Sequence, residues 1–169
     1  ESDLISGLIV DRYAECLGVQ FTAAAMTKWR SEILDHLQSV CQSSRIVVRV
    51  DEKTAKFEGL SAECGVAFSN SSSEPFKSDP ANDASAEDSL PVSYQQNSLE
   101  LSVDLLGGQK TGGYLDQREN HEIAAGFCAG RRVLDVCCYT GGFGLLAAKR
   151  GAETVAGIDT SAAALEQAK

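Results

Sequence analysis

Asp135, the pair Gly141 and Gly142, and Asp159 are the residues of this chain whose types and spacing could do chemistry. Asp135 lies inside a short apolar run, Arg132-Val133-Leu134-Asp135-Val136-Cys137-Cys138. Tyr139-Thr140-Gly141-Gly142-Phe143-Gly144 breaks that run, and residues 145–150 resume with helical composition. A second apolar run over residues 154–158 ends on Asp159. Strand, glycine loop, helix, strand and acid make up the opening half of a nucleotide-binding α/β sheet.

Such a sheet holds its ligand at the carboxyl ends of the strands, where backbone must come close to it. Gly141 and Gly142 carry no Cβ to block that approach. The helix that starts near Phe143 offers free N–H groups suited to a carboxylate. Asp159 stands where an acid accepts hydrogen bonds from both hydroxyls of a ribose, and Asp135 suits an ammonium group. A dinucleotide site would want Gly-x-Gly-x-x-Gly, and Tyr139 occupies the place of its first glycine. The set therefore fits S-adenosylmethionine better than the pyrophosphate of a nicotinamide cofactor, which remains a competing reading.

The elements that must position these residues follow from periodicity. Residues 7–13 and 16–21 are β-rich runs separated by Ala14-Glu15, a two-residue hairpin. Residues 22–42 read as a helix, with Met26, Trp29, Ile33, Leu37 and Val40 on its apolar stripe. Residues 45–51 alternate into a third strand, and residues 56–60 into a fourth. Leu99, Leu101, Val103 and Leu105 alternate with polar residues as a half-buried strand, paired with residues 92–95 through a turn at Gln96-Asn97-Ser98. Residues 115–129 have helical spacing, with Ile123 and Phe127 inward. The expected fold class is α/β: a small α+β domain (strand, strand, helix, strand) over residues 1–68, then the first half of a Rossmann-like domain over residues 92–169.

Residues 69–91 differ in kind. They hold all three prolines, seven serines and five acids against the single Lys77, with only Phe76 and Leu90 as large apolar side chains. That stretch reads as a flexible acidic linker or inserted loop. It carries −4 of the chain's net charge of −9, so any RNA-binding surface has to be local. No apolar run approaches the roughly 18 residues of a membrane span. The N-terminus shows no signal or transit pattern, which gives a cytoplasmic expectation with an organelle left open. The six cysteines lack zinc-site spacing, and His36 and His121 do not pair with them, so no metal site is expected.

Two long motifs resemble a known family. Gly107-Gly108-Gln109-Lys110-Thr111-Gly112-Gly113-Tyr114-Leu115-Asp116-Gln117-Arg118-Glu119-Asn120 is similar to the signature of large-subunit ribosomal RNA methyltransferases that modify cytosine at C5. Asp135-Val136-Cys137-Cys138-Tyr139-Thr140-Gly141-Gly142-Phe143 resembles the same family's cofactor loop. Gly7-Leu8-Ile9-Val10-Asp11-Arg12-Tyr13 and Phe57-Glu58-Gly59-Leu60 resemble landmarks of its small domain, so the likeness spans nearly everything outside residues 69–91.

The resemblance implies a class I S-adenosylmethionine site lined by Asp135, Tyr139, Gly141, Gly142, Phe143 and Asp159. Arg118 would face the cofactor, and Lys110 the cofactor or the RNA. It implies ribosomal RNA as substrate. It also implies a catalytic cysteine and Pro-Pro motif beyond Lys169, which makes this chain a fragment with no catalytic residue of its own. C5 of cytosine attacks a methyl group only after a thiolate has added at C6, and Cys137 and Cys138 lie beneath the cofactor rather than across from a base. The same signature serves a related guanine-N7 methyltransferase, and a non-catalytic binding or assembly module is a further alternative. Parallel strands normally have more sheet beside them, so a homodimer or partner chain covering an open apolar edge is expected.

Overall fold

The computed structural model describes residues 6–69 and 91–169. Residues 70–90, nearly all of the stretch read as a linker, lie outside the described residues. The chain divides into two compact units, Glu1–Tyr94 with Val103–Gly113, and Gln95–Ser102 with Tyr114–Lys169.

The first unit is built on a four-stranded sheet in the order β1-β2-β3-β4. Strands β1 (Leu8–Tyr13) and β2 (Cys16–Phe21) form the expected antiparallel hairpin, Tyr13 facing Cys16. Ala14 takes a left-handed φ of 51° at the turn. Arg12 supports the turn: its Nε donates to the Ala14 carbonyl at 2.7 Å, and its guanidinium pairs with Glu15 at 3.1 Å.

The helix expected over residues 22–42 is two helices, α1 (Ala24–Thr27) and α2 (Arg30–Cys41). The helix breaks at Lys28-Trp29, and Trp29 stands 60% exposed, as does Val40 within α2 at 66%. Met26 of α1 and Ile33, Leu34, Leu37 and Cys41 of α2 are the residues that pack inward. Strand β3 (Arg45–Val50) then runs parallel to β2.

Residues 56–60 are not a strand. They belong to α3 (Glu52–Glu58), which Asp51 caps by accepting the Thr54 N–H at 2.9 Å and which Gly59 ends at φ 69°. Cap and stop together outweigh a short apolar alternation. The fourth strand comes later, β4 (Glu63–Ser69), antiparallel to β3 with an irregularity between Ile46 and Val47.

One face of this sheet carries the core of Leu17, Val19, Phe21, Ile46, Val48 and Val50, closed by Ala55 of α3. On the other face Gly18 lies under the loop of residues 107–113, where a Cβ would meet the Thr111 carbonyl oxygen at 2.7 Å. Thr111 is fully buried and donates its hydroxyl hydrogen to Asp11, while the Tyr13 hydroxyl lies 3.3 Å from Thr111 Oγ1. Arg49 donates to the carbonyls of Gly108 at 2.5 Å and Lys110 at 2.6 Å.

Strands β5 (Val92–Gln96) and β6 (Leu99–Val103) form a separate two-stranded sheet. Their turn residues Asn97 and Ser98 both take left-handed φ, 51° and 62°, the twist that suits a two-residue hairpin.

In the second unit a 3-10 turn (Leu115–Gln117) leads into α4 (Arg118–Ala125). This helix buries His121 and Ala125, four residues apart, while Ile123 and Phe127 are 64% and 72% exposed. The inward expectation for that pair fails for a simple reason. Ile123 lies two residues from each buried position and so on the far side of the helix, and Phe127 follows its end at Gly126. Strands β7 (Arg132–Val136) and β8 (Thr154–Ile158) are adjacent and parallel, joined through α5 (Gly142–Lys149), as the apolar runs require. Helix α6 (Ala162–Gln167) follows, capped by Ser161. Gly144, Leu146 and Ala147 are the buried residues of α5. Gly144 packs on Val155 and Asp135, and Leu134, Val136 and Ile158 remain 60%, 62% and 55% exposed. Among the described residues no helix is long and apolar enough to cross a membrane.

Candidate cofactor site

The candidate site is the turn from β7 into α5. Strand geometry stops at Val136 because Cys137 turns left-handed at φ 62°; Tyr139 and Gly141 do the same at 50° and 79°. Three such residues within five are costly for anything but glycine. Tyr139 thus adopts the backbone shape that the first glycine of a dinucleotide loop would adopt. The other two positions of that pattern are filled: Gly141 is the N-cap of α5, and Gly144 lets the helix close onto β8, a Cβ there falling 3.1 Å from Val155.

Both candidate acids hold this loop. Asp159, at the end of β8, accepts the Tyr139 N–H at 2.8 Å through one oxygen and the Ser161 N–H at 2.8 Å through the other. Those backbone hydrogen bonds pull its pKa below the usual carboxylate value, with the Ser161 bond the largest cause. The Thr160 N–H acts on the same carboxylate, and of its roughly four acceptor positions the backbone leaves room for an incoming hydroxyl. Asp135 accepts the Gly144 N–H at 2.9 Å through Oδ2. It therefore satisfies one of the orphan donors in the first turn of α5.

The two glycines answer to different neighbours than a ligand. A Cβ on Gly142 would come within 2.5 Å of Cε1 of His121, and one on Gly141 within 3.2 Å of Ala168. Their small size is required by protein packing first. The close neighbour at Gly142, His121, was not legible from residue spacing. Nor was Tyr114, which meets Tyr139 edge-to-face at 5.5 Å. Both lie in or just after the long signature, so the structure joins the two motifs at Tyr114–Tyr139 and at His121–Phe143, whose rings are 4.3 Å apart.

A cavity of about 390 Å³ opens beneath α5 and α6, lined by Asp135, Cys138, Gly141, Gly144, Leu145 and Leu165 among others. Its walls are mostly aliphatic. Cys138 is buried, and burial first, then the charges of Asp135 and Asp159, raise its thiol pKa. It is thus a poor source of thiolate. Cys137 is exposed on the same loop.

Of the sequence-predicted residues, Asp135, Tyr139, Gly141, Gly142, Phe143 and Asp159 all gather around this one turn. Arg118 is exposed at the start of α4, its carbonyl accepting from Asn97 Nδ2 at 2.8 Å. Lys110 falls in the other unit, in a left-handed conformation at φ 52°.

A family model described as S-adenosylmethionine-dependent methyltransferase matches residues 73–169. Curated relatives named ribosomal RNA large subunit methyltransferase I, from Shewanella denitrificans and Aeromonas hydrophila, are each 37% identical over all of this chain. The chain spans 38% and 39% of their respective lengths. A solved chain from Streptococcus mutans superposes with a TM-score of 0.73 at 20% identity, covering 99% of this chain and 39% of that one. A SAM-dependent methyltransferase from Agrobacterium tumefaciens gives 0.56 at 17% identity, covering 96% and 44%. At such identities the structures speak for the fold alone. The match over residues 73–169, more than half of the sequence and including the whole glycine turn, shows that this chain belongs to the S-adenosylmethionine-dependent methyltransferase family.

Proposed function

We propose that this chain carries the cofactor-binding part of an enzyme that methylates large-subunit ribosomal RNA at C5 of cytosine. The observation that carries the reading is Asp159: an ionised carboxylate at the end of β8, fixed by two backbone N–H groups beside the left-handed loop. That is the arrangement a ribose diol needs, since a carboxylate so held still accepts from an incoming hydroxyl without moving. The names of the relatives support ribosomal RNA as the substrate class, and the two quoted motifs support cytosine C5.

In this reading S-adenosylmethionine supplies an electrophilic methyl group when bound. Asp159 holds the ribose, and the oxygen of Asp135 not engaged by Gly144 is the one that meets the ammonium group. The loop from Tyr139 to Phe143 shapes the space between them. Arg118 and Lys110 are assigned to the cofactor and to the cofactor or RNA. Neither Cys137 nor Cys138 serves as the nucleophile, because Cys138 is buried as a thiol and Cys137 shares its strand end. The partners are ribosomal RNA and, for an open apolar edge of the β7–β8 sheet, a second copy or another chain.

Calorimetric titration with S-adenosylmethionine and with NAD tests the cofactor. S-adenosylmethionine should bind, and Asp159→Ala should weaken it by about 1.5–3 kcal/mol, the range for hydrogen bonds to a charged group. Equal affinity in wild type and variant would remove Asp159 from the site, and a preference for NAD would sink the reading. Bisulfite mapping of large-subunit RNA methylated by the parent enzyme decides the cytosine assignment.

A further inference from the structure

We propose that His121 is the positioning residue of the cofactor loop, holding Gly142 and Phe143 in place as a neutral imidazole and releasing them when protonated. The inference rests on reading that loop as the S-adenosylmethionine site. His121 is buried on α4. Its ring stands edge-on to Phe143 at 78° and leaves no room for a side chain at residue 142, where a Cβ would lie 2.5 Å from Cε1. On its other side, Nδ1 lies 3.3 Å from the side-chain amide nitrogen of Gln96, itself buried. With the Gln96 amide nitrogen turned toward the ring, Nδ1 accepts, which is the tautomer carrying its proton on Nε2.

Gln96 is itself fixed. The next two residues of the β5–β6 turn are tied down on either side: Asn97 Nδ2 donates to the Arg118 carbonyl at 2.8 Å, and Lys149 Nζ donates to the Ser98 carbonyl. The hairpin tip thereby grips the first residue of α4 and the last of α5. A proton added at Nδ1 would oblige the Gln96 amide to turn over or give up the contact. It would also leave an imidazolium against the Phe143 ring and the Gly142 backbone, where the charge of Asp135 offsets only part of the cost of burial. Burial lowers the pKa of His121, while Asp135 on β7, the charged group that bears on it, pulls weakly the other way. The faces that β5 and α5 present to the ring, Gln96 and Gly142 with Phe143, are uncharged. Neutral His121 is the form at physiological pH, and the loop is released only in acid.

The test uses the full 169-residue chain and S-adenosylhomocysteine, titrated calorimetrically from about pH 8 down to about pH 5, the window in which histidine changes charge. Wild-type affinity should fall about tenfold on the acid side, the equivalent of losing one buried hydrogen bond. Gln96→Glu places a carboxylate against Nδ1 and should move that fall to higher pH. His121→Asn should flatten the profile, whereas His36→Asn, on the exposed side of α2, should leave it unchanged. A profile that is the same in wild type and His121→Asn, or a midpoint unmoved by Gln96→Glu, overturns the proposal. The ligand-free chain gives a separate reading by NMR. With only two histidines in the sequence, the ring-nitrogen signals should show His121 protonated on Nε2, and the Gly142 amide should shift as His121 titrates. If S-adenosylhomocysteine binds at no pH, the cofactor reading falls. A Gly142 amide that ignores the His121 titration defeats the positioning role whether or not the ligand binds.

Discussion

Two sheets of similar composition meet different fates in this molecule. Strands β2 and β3, Cys16–Phe21 and Arg45–Val50, bury apolar residues on both faces: Leu17, Val19, Ile46 and Val48 toward the helices, Val47 toward the loop of residues 107–113. Strands β7 and β8 are as rich in aliphatic residues, yet Leu134, Val136 and Ile158 stay more than half exposed. A strand's sequence decides which of its residues can be buried, and the surrounding layers decide which ones are. The cofactor loop hangs from the sheet with one open face, so its order comes from hydrogen bonds and from the His121 contact more than from a deep core.

The largest test of that contrast is truncation. Phe21→Ala should cost about 3–5 kcal/mol in urea unfolding of its unit, as a fully buried aromatic does, and Leu134→Ser should stay within about 0.5 kcal/mol. Comparable costs at the two positions would erase the distinction. A smaller effect sharpens the role of the loop on the second face of the four-stranded sheet. Gly112 has φ 134°, and a Cβ there would fall 2.1 Å from Val103 Cγ2, whereas Gly59, at φ 69°, has open space around it. Gly112→Ala should cost about 1–3 kcal/mol by overpacking and Gly59→Ala visibly less, read from shifts in the urea midpoint.

The smallest effect belongs to Tyr13, whose hydroxyl lies buried against Thr111 and Gly113. Burial is the largest cause raising its pKa from 10 to about 12. The folded value lies above the unfolded one, so the stabilisation is complete below pH 10 and is lost as pH rises towards about 12. Tyr13→Phe should lower stability at neutral pH by about 0.5–1.5 kcal/mol and remove that alkaline loss. An unchanged alkaline profile in the variant would assign it to another group.

Most strands were legible because alternation and the turns at Ala14-Glu15 and Gln96-Asn97-Ser98 are local signals. The order of acid, glycine loop and acid was legible for the same reason, and the residues gather where that order places them. Helix phase was not. The stripe through Trp29 assumed one unbroken helix, whereas the helix breaks at Lys28-Trp29 and the inward face of α2 runs through Leu34, Leu37 and Cys41, leaving Trp29 and Val40 outside it. At residues 56–60 the alternation of Phe57 with polar neighbours was read as strand, although Asp51, Thr54 and Gly59 were in the sequence as a cap and a stop. His121 was invisible for a different reason. Its partners Gln96 and Gly142 lie 25 and 21 residues away in opposite directions, and nothing local to His121 marks it as the residue that makes Gly142 small.

The two units are interleaved along the chain, which passes from one to the other after Tyr94, after Ser102 and after Gly113. Emergence from the ribosome therefore cannot complete them one after the other. The four-stranded sheet is synthesised early but lacks its covering loop until Gly113 is out, on the order of seconds later at roughly 5–20 residues per second. Throughout that interval Gly18 and Val47 face solvent in the nascent chain. The hairpin tip at Gln96 waits longer still, for Arg118 and His121 and then Lys149, before all of its latching bonds can form. Slowing translation across residues 103–113 would lengthen the first exposure, and slowing it across residues 121–149 the second. The yield of folded protein should depend on codon choice in those two windows more than anywhere else in the described chain.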